Sequence, residues 1–273
     1  MEPYSVLMSI YYKEDSTYFK QSLESILSQT VRTDDLVLVC DGPLTPELDA
    51  VIEEYVQAYP DLFHIIRLPE NGGLGKALNK GLPECRHELV ARLDTDDISL
   101  PDRMEKQLES FRLHPEISLL SCAVKEFQND NIDDISAIKS LPLTHEELLV
   151  YARKRSPINH PAVMFKKSAV LAVGGYQHFP YFEDYYLWVR MLQNGAKAMN
   201  LAQPLLLMRA GQAMYSRRGG LKYLKCVYRF RKYLWKCKFS SFGDFFISVS
   251  AQTAVCLLPN RVRIFVYHKF LRR

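Results

Sequence analysis

The sequence lacks the marks of several large protein classes. No run reaches the ~20 consecutive apolar residues that cross a bilayer, so no membrane-spanning segment is expected. The six cysteines include no CxxC pair and lie in apolar or helical stretches, which predicts reduced packing residues and a cytosolic chain instead of a disulfide framework. At the N-terminus Glu2 precedes only a short apolar run, a pattern typical of a strand and not of a signal peptide.

Glycine does not occur before Gly42, and the later glycines form neither common nucleotide-binding loop. Beside the turn Asn71-Gly72-Gly73-Leu74-Gly75, Glu70 takes the first glycine position of a Walker loop, and Ala77 stands where its serine or threonine belongs. Leu78 replaces the last glycine of a dinucleotide-binding fingerprint. What remains is either a plain turn or the start of a helix that binds a phosphate with help from Lys76.

Acidic residues are almost absent from the C-terminal part of the chain. Residues 1–208 hold 20 Lys/Arg against 30 Asp/Glu, a net charge of −10. Residues 209–273 hold 15 Lys/Arg against one acid, Asp244, a net charge of +14. This asymmetry indicates a basic tail that meets a polyanion or an anionic membrane.

The basic part contains a predicted amphipathic helix from Leu221 to Lys238. Its apolar stripe is Tyr223, Val227, Phe230, Leu234 and Cys237, and its basic stripe is Lys222, Lys225, Arg229, Lys232 and Lys236. Such a helix can be a nucleic-acid arm, a partner helix or a membrane-surface element, or it can pack its apolar stripe on the rest of the chain. A second apolar stretch, Phe245 to Leu258, is too short to span a bilayer.

Apolar runs and helical patterns alternate through the first half of the chain, which predicts an α/β fold with a doubly wound, mostly parallel sheet. The predicted strands are Ser5–Tyr12, Leu36–Cys40, His64–Leu68 and the run that ends at Leu93, and the predicted helices are Thr17–Gln29, Pro46–Tyr59, Lys76–Leu82 and Leu100–Leu113. Ligands gather at the carboxyl ends of such strands. Two strands end there on acids, Asp41 and the Asp94-Thr95-Asp96-Asp97 turn.

The Asp94-Thr95-Asp96-Asp97 turn is the strongest local signal. Three carboxylates within four residues repel one another and raise one another's pKa unless a cation lies among them. Mg²⁺ and similar hard ions bind carboxylates together with phosphates and water. Taken alone, the turn could simply cap the next helix, since Asp is a favoured N-cap residue. Further along, Glu183 and Asp184 open a helix that Gly195 ends, and His160 lies in a proline-flanked loop.

Together, these motifs resemble the family 2 glycosyltransferases of the GT-A fold over residues 3–215. The matching blocks, in order, are Ser9–Tyr12, Ser25–Thr30, Cys40–Pro43, Asn71–Gly81, Asp94–Asp97 and Glu183–Arg190. The resemblance implies an inverting, metal-dependent hexosyltransferase that uses a UDP-sugar and Mn²⁺ or Mg²⁺. We expect a transferase domain at 1–215, with a nucleotide-binding half (1–97) and an acceptor-binding half (98–215), followed by a basic helical tail at 216–273.

The resemblance also assigns roles to single residues. The implied donor site consists of Ser9 and Asp41 at the base edge, Tyr11 stacked on uracil, Lys76 at a phosphate, Asp94 at the ribose and Asp96 at the metal ion. On the acceptor side, Asp184 would be the general base, with Glu183 as its orienting partner and the second candidate. His160 would line the acceptor or diphosphate side, and Arg217 and Arg218 would be supplementary phosphate partners.

Two stretches, Cys40–Leu44 and Met214–Gly220, are most similar to bacterial enzymes that add galactose or glucose to N-acetylglucosamine on undecaprenyl diphosphate, in capsule, O-antigen or exopolysaccharide synthesis. That acceptor lies at the cytoplasmic face of the membrane, so we expect a peripheral enzyme whose tail contacts the membrane, with no nucleic-acid partner. One alternative is a sugar-phosphate nucleotidyltransferase, which would carry a glycine-rich loop after the first strand. Another is a non-catalytic, membrane-peripheral scaffold.

Overall fold

The computed structural model describes residues 2–128, 131–210 and 220–258. Within these ranges the chain has a mixed α/β fold in which nine strands form one sheet. The strands are β1 (Tyr4–Ile10), β2 (Asp35–Cys40), β3 (Phe63–Arg67), β4 (Leu89–Arg92), β5 (Ile98–Ser99), β6 (Ile117–Phe127), β7 (Ile135–Lys139), β8 (Met164–Lys166) and β9 (Lys197–Arg209). The helices are α1 (Ser16–Leu27), α2 (Pro46–Ala58), α3 (Leu74–Gly81), α4 (Arg103–Leu113), α5 (His145–Tyr151), α6 (Lys167–Ala172), α7 (Glu183–Gln193), α8 (Gly220–Lys236) and α9 (Phe242–Leu257).

The first half of the chain forms a parallel block of strands in the order β3-β2-β1-β4. β2 is buried along its whole length, as expected for a parallel sheet that helices cover on both faces. The connecting helices begin at side-chain caps: Asp15 accepts from the N–H groups of Thr17 and Tyr18, and Thr45 accepts from the N–H of Leu48. The predicted alternation of strands and helices is confirmed, and the carboxyl ends of these strands share one edge.

Beyond β4 the sheet is mixed. β8 is antiparallel to both β4 and β6, β7 is antiparallel to β6, and β5 is antiparallel to β9. The long strands β6 and β9 pair in parallel, so the longest pairings agree with the expected mostly parallel sheet. The sequence analysis missed β9 because Pro204 interrupts its apolar run. The proline fits at a shift in the β6–β9 register, where Cys122 pairs with Leu201 and Ala123 with Pro204.

The sheet separates two apolar layers, because successive side chains of a strand point to opposite faces. Val6 and Met8 of β1 belong to the layer that α1 and α2 cover. Leu7 belongs to the other layer, which α3 and α7 cover and which contains the fully buried Trp188. These two layers fix the helices that carry the candidate site residues.

The tail helix α8 packs on α7. Four of the five residues of its predicted apolar stripe form a third apolar cluster with side chains of α7, the loop before α7 and α9, whereas the fifth, Cys237, is half-buried outside it. The buried members are Tyr223, Val227, Phe230 and Leu234 of α8, with Phe182, Tyr185, Val189 and Cys256. Arg231 is buried beside them and donates to the carbonyls of Arg153 and Lys154 at 3.4 and 2.5 Å. The apolar stripe of the tail is therefore used for packing within the chain.

None of the helices in the described ranges combines the length and apolarity that crossing a membrane requires. The six cysteines are free, as predicted, and four of them are buried. The proposed boundary at residue 215 lies outside the described residues.

Candidate active site

The turn after β4 brings three carboxylates together. Single carboxylate oxygens of Asp94, Asp96 and Asp97 all lie within 4.8 Å of one another. The N–H of Asp97 donates to the Asp94 carbonyl at 3.3 Å, and Ser22 Oγ of α1 donates to the same carbonyl at 3.0 Å. The carboxylate of Asp94 also accepts a hydrogen bond from the buried guanidinium of Arg92. The predicted acidic turn is thus fixed by its own backbone and by two neighbouring elements.

Burial and, to a lesser degree, mutual repulsion disfavour negative charge on the carboxylates of this turn. Burial and the charge of Asp94 raise the pKa of Asp96 to about 6. Burial and the charges of Asp96 and Asp94 raise the pKa of Asp97 well above its usual value. Burial disfavours the charge of Arg92, but the adjacent Asp94 carboxylate outweighs it and raises the pKa of the arginine. A hard divalent cation fits this oxygen-only donor set, because it would offset the remaining negative charge.

Arg209, which the sequence analysis missed, closes the turn from the end of β9. Its backbone N–H donates to Asp97 Oδ1 at 2.9 Å, and its Nε donates to the Asp96 carbonyl at 3.3 Å. Its guanidinium carbon lies 3.5 Å from the centre of the Tyr18 ring and 4.6 Å from that of Phe127. In the sequence, Arg209 is only an arginine at the end of an apolar run, and that run has no clear strand pattern because Pro204 interrupts it.

Asp41 organises the glycine turn. Its two carboxylate oxygens accept from the N–H groups of Gly72 and Gly73 at 2.7 and 2.9 Å. Gly42 has a φ of +87°, and a Cβ there would lie 2.7 Å from a backbone nitrogen of that turn, so the close approach requires glycine. A Cβ at Gly72 would contact Lys76 Cδ at 3.1 Å and Asp41 Oδ1 at 3.8 Å. The structure therefore brings the candidate donor residues Asp41 and Lys76 together.

The start of α7 faces the glycine turn. A Cβ at Gly75 would lie 3.5 Å from Glu183 Cγ. Burial and the neighbouring charge of Asp184 raise the pKa of Glu183. Glu183, one of the two acids predicted for the acceptor side, thus lies close to α3, which carries the candidate donor residue Lys76.

A side-chain clamp joins α3 and α7 to the Gly174-Gly175-Tyr176 turn. Asn79 Oδ1 accepts from the N–H of Tyr176 at 2.7 Å, while Asn79 Nδ2 donates to its carbonyl. Arg190 of α7 donates to the Gly175 carbonyl at 2.7 Å through Nη2. Gly175 has a φ of +63°, and a Cβ there would collide with Asn79 Oδ1. Asn79 and Arg190 lie in the matching motifs, but no sequence pattern pairs them with this turn.

Tyr176 packs against His160 and Trp188. Its hydroxyl is 2.9 Å from His160 Nε2, and the rings of His160 and Trp188 have centroids 5.9 Å apart. Burial lowers the pKa of His160 well below its usual value, which keeps the imidazole neutral. Burial also raises the pKa of Tyr176, and the charges of Asp184 and Asp94 act on it in the same direction. The structure thereby joins the predicted acceptor-side histidine to a buried tyrosine that no sequence pattern indicates.

Two further donor-site candidates, Ser9 and Tyr11, lie at or just after the end of β1. Ser9 is half-buried near the carboxyl end of β1, and Tyr11 follows that strand with its ring centroid 5.8 Å from that of Tyr12. Arg217 and Arg218 lie outside the described residues. Contacts of all these residues with a nucleotide or an acceptor stay predictions.

Comparisons with known proteins identify the family. A model described as Glycosyl transferase family 2 matches residues 5–174. The chain is 40% identical over 269 residues to the amylovoran biosynthesis glycosyltransferase AmsE of Erwinia amylovora. That alignment covers 97% of this chain and 98% of AmsE. It is 38% identical over 270 residues to a UDP-Gal:alpha-D-GlcNAc-diphosphoundecaprenol beta-1,3-galactosyltransferase of Escherichia coli. That alignment covers 99% of this chain and 97% of the relative.

A solved structure shares the fold. The mannosyltransferase PcManGT from Pyrobaculum calidifontis, in complex with GDP-Man and Mn²⁺, matches with a TM-score of 0.65 at 16% identity, over 96% of this chain and 72% of that one. The expected GT-A architecture is thereby confirmed. The family match also favours a glycosyltransferase over a nucleotidyltransferase or a non-catalytic scaffold. The chain belongs to glycosyl transferase family 2.

Proposed function

We propose that the protein is an inverting hexosyltransferase that moves galactose or glucose from UDP to N-acetylglucosamine on undecaprenyl diphosphate. The observation that carries this proposal is a pair of acidic groups: the Asp94–Asp97 carboxylate cluster that follows β4, and the start of α7, where Glu183 lies against Gly75. One group suits the leaving diphosphate, and the other suits the acceptor hydroxyl. The name of the Escherichia coli relative, which specifies UDP-Gal and GlcNAc-diphosphoundecaprenol, supports the choice of both substrates.

The donor would bind along the carboxyl edge of the parallel strands. Tyr11 would stack on uracil, Ser9 and Asp41 would contact the base edge, and Asp94 would approach the ribose. Lys76 would meet a phosphate, and its position beside Asp41 and the start of α3 supports that role.

Asp96 would hold Mn²⁺ or Mg²⁺, with Asp94 beside it. When bound, the ion offsets the negative charge that develops on the departing UDP. The oxygen-only donor set and the raised pKa of Asp96 support this assignment. EDTA is expected to abolish turnover and added Mn²⁺ to restore it, whereas Asp96→Asn should nearly abolish turnover even with Mn²⁺ present. Equal rates in EDTA and in Mn²⁺ would show that the metal assignment is wrong.

Asp184 is the proposed general base, and Glu183 orients it. The acceptor oxygen forms a bond to the anomeric carbon while the bond from that carbon to the UDP oxygen breaks, and the hydroxyl proton passes to the carboxylate of Asp184. Attack opposite the leaving group inverts the anomeric carbon. His160, held neutral by burial, would line the acceptor or diphosphate side, and Arg217 and Arg218 would bind phosphate oxygens.

The enzyme would act as a peripheral protein at the cytoplasmic membrane surface, where a lipid-linked acceptor lies. The net charge of +14 on residues 209–273 supports attraction to anionic headgroups.

A panel of UDP-sugars, offered with a synthetic GlcNAc-diphosphate-lipid, tests the proposed reaction. We expect UDP release with UDP-Gal or UDP-Glc, and a product with an inverted anomeric centre by NMR. Release of pyrophosphate from a nucleoside triphosphate and a sugar phosphate would instead identify a nucleotidyltransferase. Absence of UDP release with every donor would contradict the proposal.

A further inference from the structure

An exposed aromatic ridge runs along the outer side of α8 and α9. It is made of large apolar side chains that are between 39% and 76% exposed. We define the aromatic ridge as Leu221, Tyr228, Trp235, Phe242, Phe246 and Ile247. Soluble monomers rarely expose so many contiguous apolar groups unless another surface covers them.

Ring contacts within the aromatic ridge join α8 to α9. The ring centroid of Trp235 lies 5.5 Å from that of Phe242 and 5.7 Å from that of the half-buried Phe245. Tyr228 lies 5.8 Å from the same Phe245. Along α8, Leu221, Tyr228 and Trp235 recur every seven residues, which places them on one line about 21 Å long.

The aromatic ridge is distinct from the apolar stripe that packs on α7. Tyr223, Val227, Phe230 and Leu234 are buried in the third apolar cluster, so folding of the chain already covers them. The ridge occupies a different sector of α8, and its side chains remain exposed after that packing is complete.

Cations flank the aromatic ridge. Lys222, Lys225, Arg229 and Lys236 are exposed on α8, in the sector next to the ridge. Between residues 220 and 258 the sequence contains one acid, Asp244, whose carboxylate caps α9 and lies 3.2 Å from Lys154 Nζ. Aromatic side chains at headgroup depth, flanked by cations, are typical of protein surfaces that lie in an anionic membrane interface.

The first turn of α8 lies beside the helix that carries the proposed base. Tyr223, which belongs to the buried stripe, contacts Tyr181 and Phe182 with ring centroids 5.2 and 6.0 Å apart. Those two residues come directly before Glu183, the first residue of α7. A bilayer in contact with the ridge would therefore be separated from the start of α7 by the width of α8, about 10 Å.

We propose that the aromatic ridge inserts into the interface of an anionic phospholipid bilayer, with the flanking lysines and arginine on the lipid phosphates. This proposal deepens the proposed function and rests on it, because it assumes an acceptor that is anchored in a membrane. It assigns the insertion to the outer side of α8 and α9 and excludes the stripe that packs on α7.

Flotation of the full-length chain with vesicles tests the proposal. Vesicles of phosphatidylglycerol and phosphatidylethanolamine are compared with vesicles of phosphatidylcholine at low and high salt. The parent is expected to float with the anionic vesicles and to be released in part by salt. Phe246→Ser combined with Ile247→Ser should weaken partitioning about tenfold or more, and Lys225→Glu with Arg229→Glu should weaken it at least about fivefold per cation.

The matched control is Val150→Ser combined with Leu171→Ser, two exposed apolar residues elsewhere on the chain, which should leave flotation unchanged. All variants should retain parental turnover of a water-soluble, short-chain GlcNAc-diphosphate acceptor and a parental circular dichroism spectrum. Loss of flotation in the ridge variants, with that turnover intact, supports the proposal.

Three outcomes would overturn it: a parent that does not float at low salt, ridge variants that float as well as the parent, or ridge variants whose only change is the loss of a dimer in sedimentation. The last result would assign the aromatic ridge to a second copy of the chain. Failure to turn over any acceptor, with flotation intact, would contradict the proposed function and leave the membrane surface standing.

Discussion

The ionised carboxylate of Asp96 lowers the stability of the metal-free fold. Burial and the charge of Asp94 raise the pKa of its carboxyl from an ordinary value of 3.8 to about 6. Ionising this group is therefore less favourable in the folded than in the unfolded chain, and at neutral pH the ionised form destabilises the metal-free protein. A divalent cation in the turn would reverse that effect, because it stabilises the ionised carboxylates of the folded state.

The pH dependence of stability should reveal this effect. In metal-free buffer above about pH 6, the wild type should be less stable than Asp96→Asn by up to about 3 kcal/mol, because Asp96 is ionised in both folded and unfolded chains. The difference should shrink as the pH falls below about 6 and vanish only below the unfolded pKa of 3.8, where the carboxyl is protonated in both the folded and the unfolded chain. Urea unfolding from about pH 3 to pH 7.5 with EDTA measures it. A difference that does not change with pH would contradict the prediction.

Asp184→Asn should lower kcat by about 10²–10⁴-fold, because the amide cannot take the proton of the acceptor hydroxyl. The affinity for the UDP-sugar, measured by calorimetry, should stay near that of the parent. Glu183→Gln should have a smaller effect of the same kind. Glu146→Gln is the matched control, since Glu146 is an exposed acid in the first turn of α5. Full turnover by Asp184→Asn would remove this residue from the mechanism.

Residues at strand ends could be predicted from sequence, whereas those that support them could not. Asp41 and Asp94 follow directly from where buried apolar runs stop. Arg209 reaches Asp97 across 112 positions of sequence, and Asn79 reaches Tyr176 across 97. A single sequence carries no signal for pairs so far apart, because their contact depends on how the strands and helices pack.

Among the structural elements, the Gly174-Gly175-Tyr176 turn links α3 to α7. Asn79 of α3 and Arg190 of α7 hold its backbone from two sides, and the glycine at position 175 lets Asn79 approach closely. The turn therefore fixes how α7, with its two acids, lies against the donor-side helix. Such a clamp transmits small shifts of one helix to the other.

Asn79→Ala should loosen this clamp. Loss of two hydrogen bonds to the backbone of Tyr176 is expected to reduce the free energy of unfolding by about 1–3 kcal/mol. It should also lower kcat more than it raises the KM for the UDP-sugar, because α7 carries the proposed base and the donor would bind at the strand ends. Lys80→Ala, at the exposed neighbouring position, is the control for both measurements. Parental kcat in a destabilised Asn79→Ala would limit the residue to a structural role.

Elements with a simple period were predictable, and irregular ones were not. β2 is a continuous apolar run, and α8 repeats its buried positions every three or four residues, so both were found. β9 could not be predicted, since Pro204 breaks its apolar pattern. The strand accommodates this proline through a shift in its register with β6, which the sequence does not reveal. Whether the apolar stripe of α8 packs within the chain or meets another surface could not be read from the sequence, because the same stripe fits both.

In the whole molecule, the tail and the acceptor half share a core. Phe230 of α8 stacks on Phe182 with ring centroids 4.7 Å apart and planes 4° from parallel, and it contacts Tyr185 at the same centroid distance. Phe182 directly precedes Glu183, so the tail supports the start of the helix that carries the proposed base.

Phe230→Ala should therefore affect catalysis as well as stability. Truncation of a buried aromatic ring in the tail is expected to cost about 3–5 kcal/mol of packing free energy. We also expect a lower kcat with a water-soluble acceptor, because the start of α7 loses its support. Tyr228→Ala, in the exposed sector of the same helix, should leave both values unchanged. If Phe230→Ala keeps its kcat while its melting temperature falls, the tail does not position α7.

The shared core between α7 and α8 limits how relatives of this enzyme can exchange parts. A chimera that inherits residues 220–258 from one parent and residues 179–193 from another must fit two sets of aromatic rings that were selected separately. Recombination that keeps both segments from one parent preserves their fit. The two helices should therefore be inherited as a pair, together with the proposed membrane surface on α8 and the proposed base on α7.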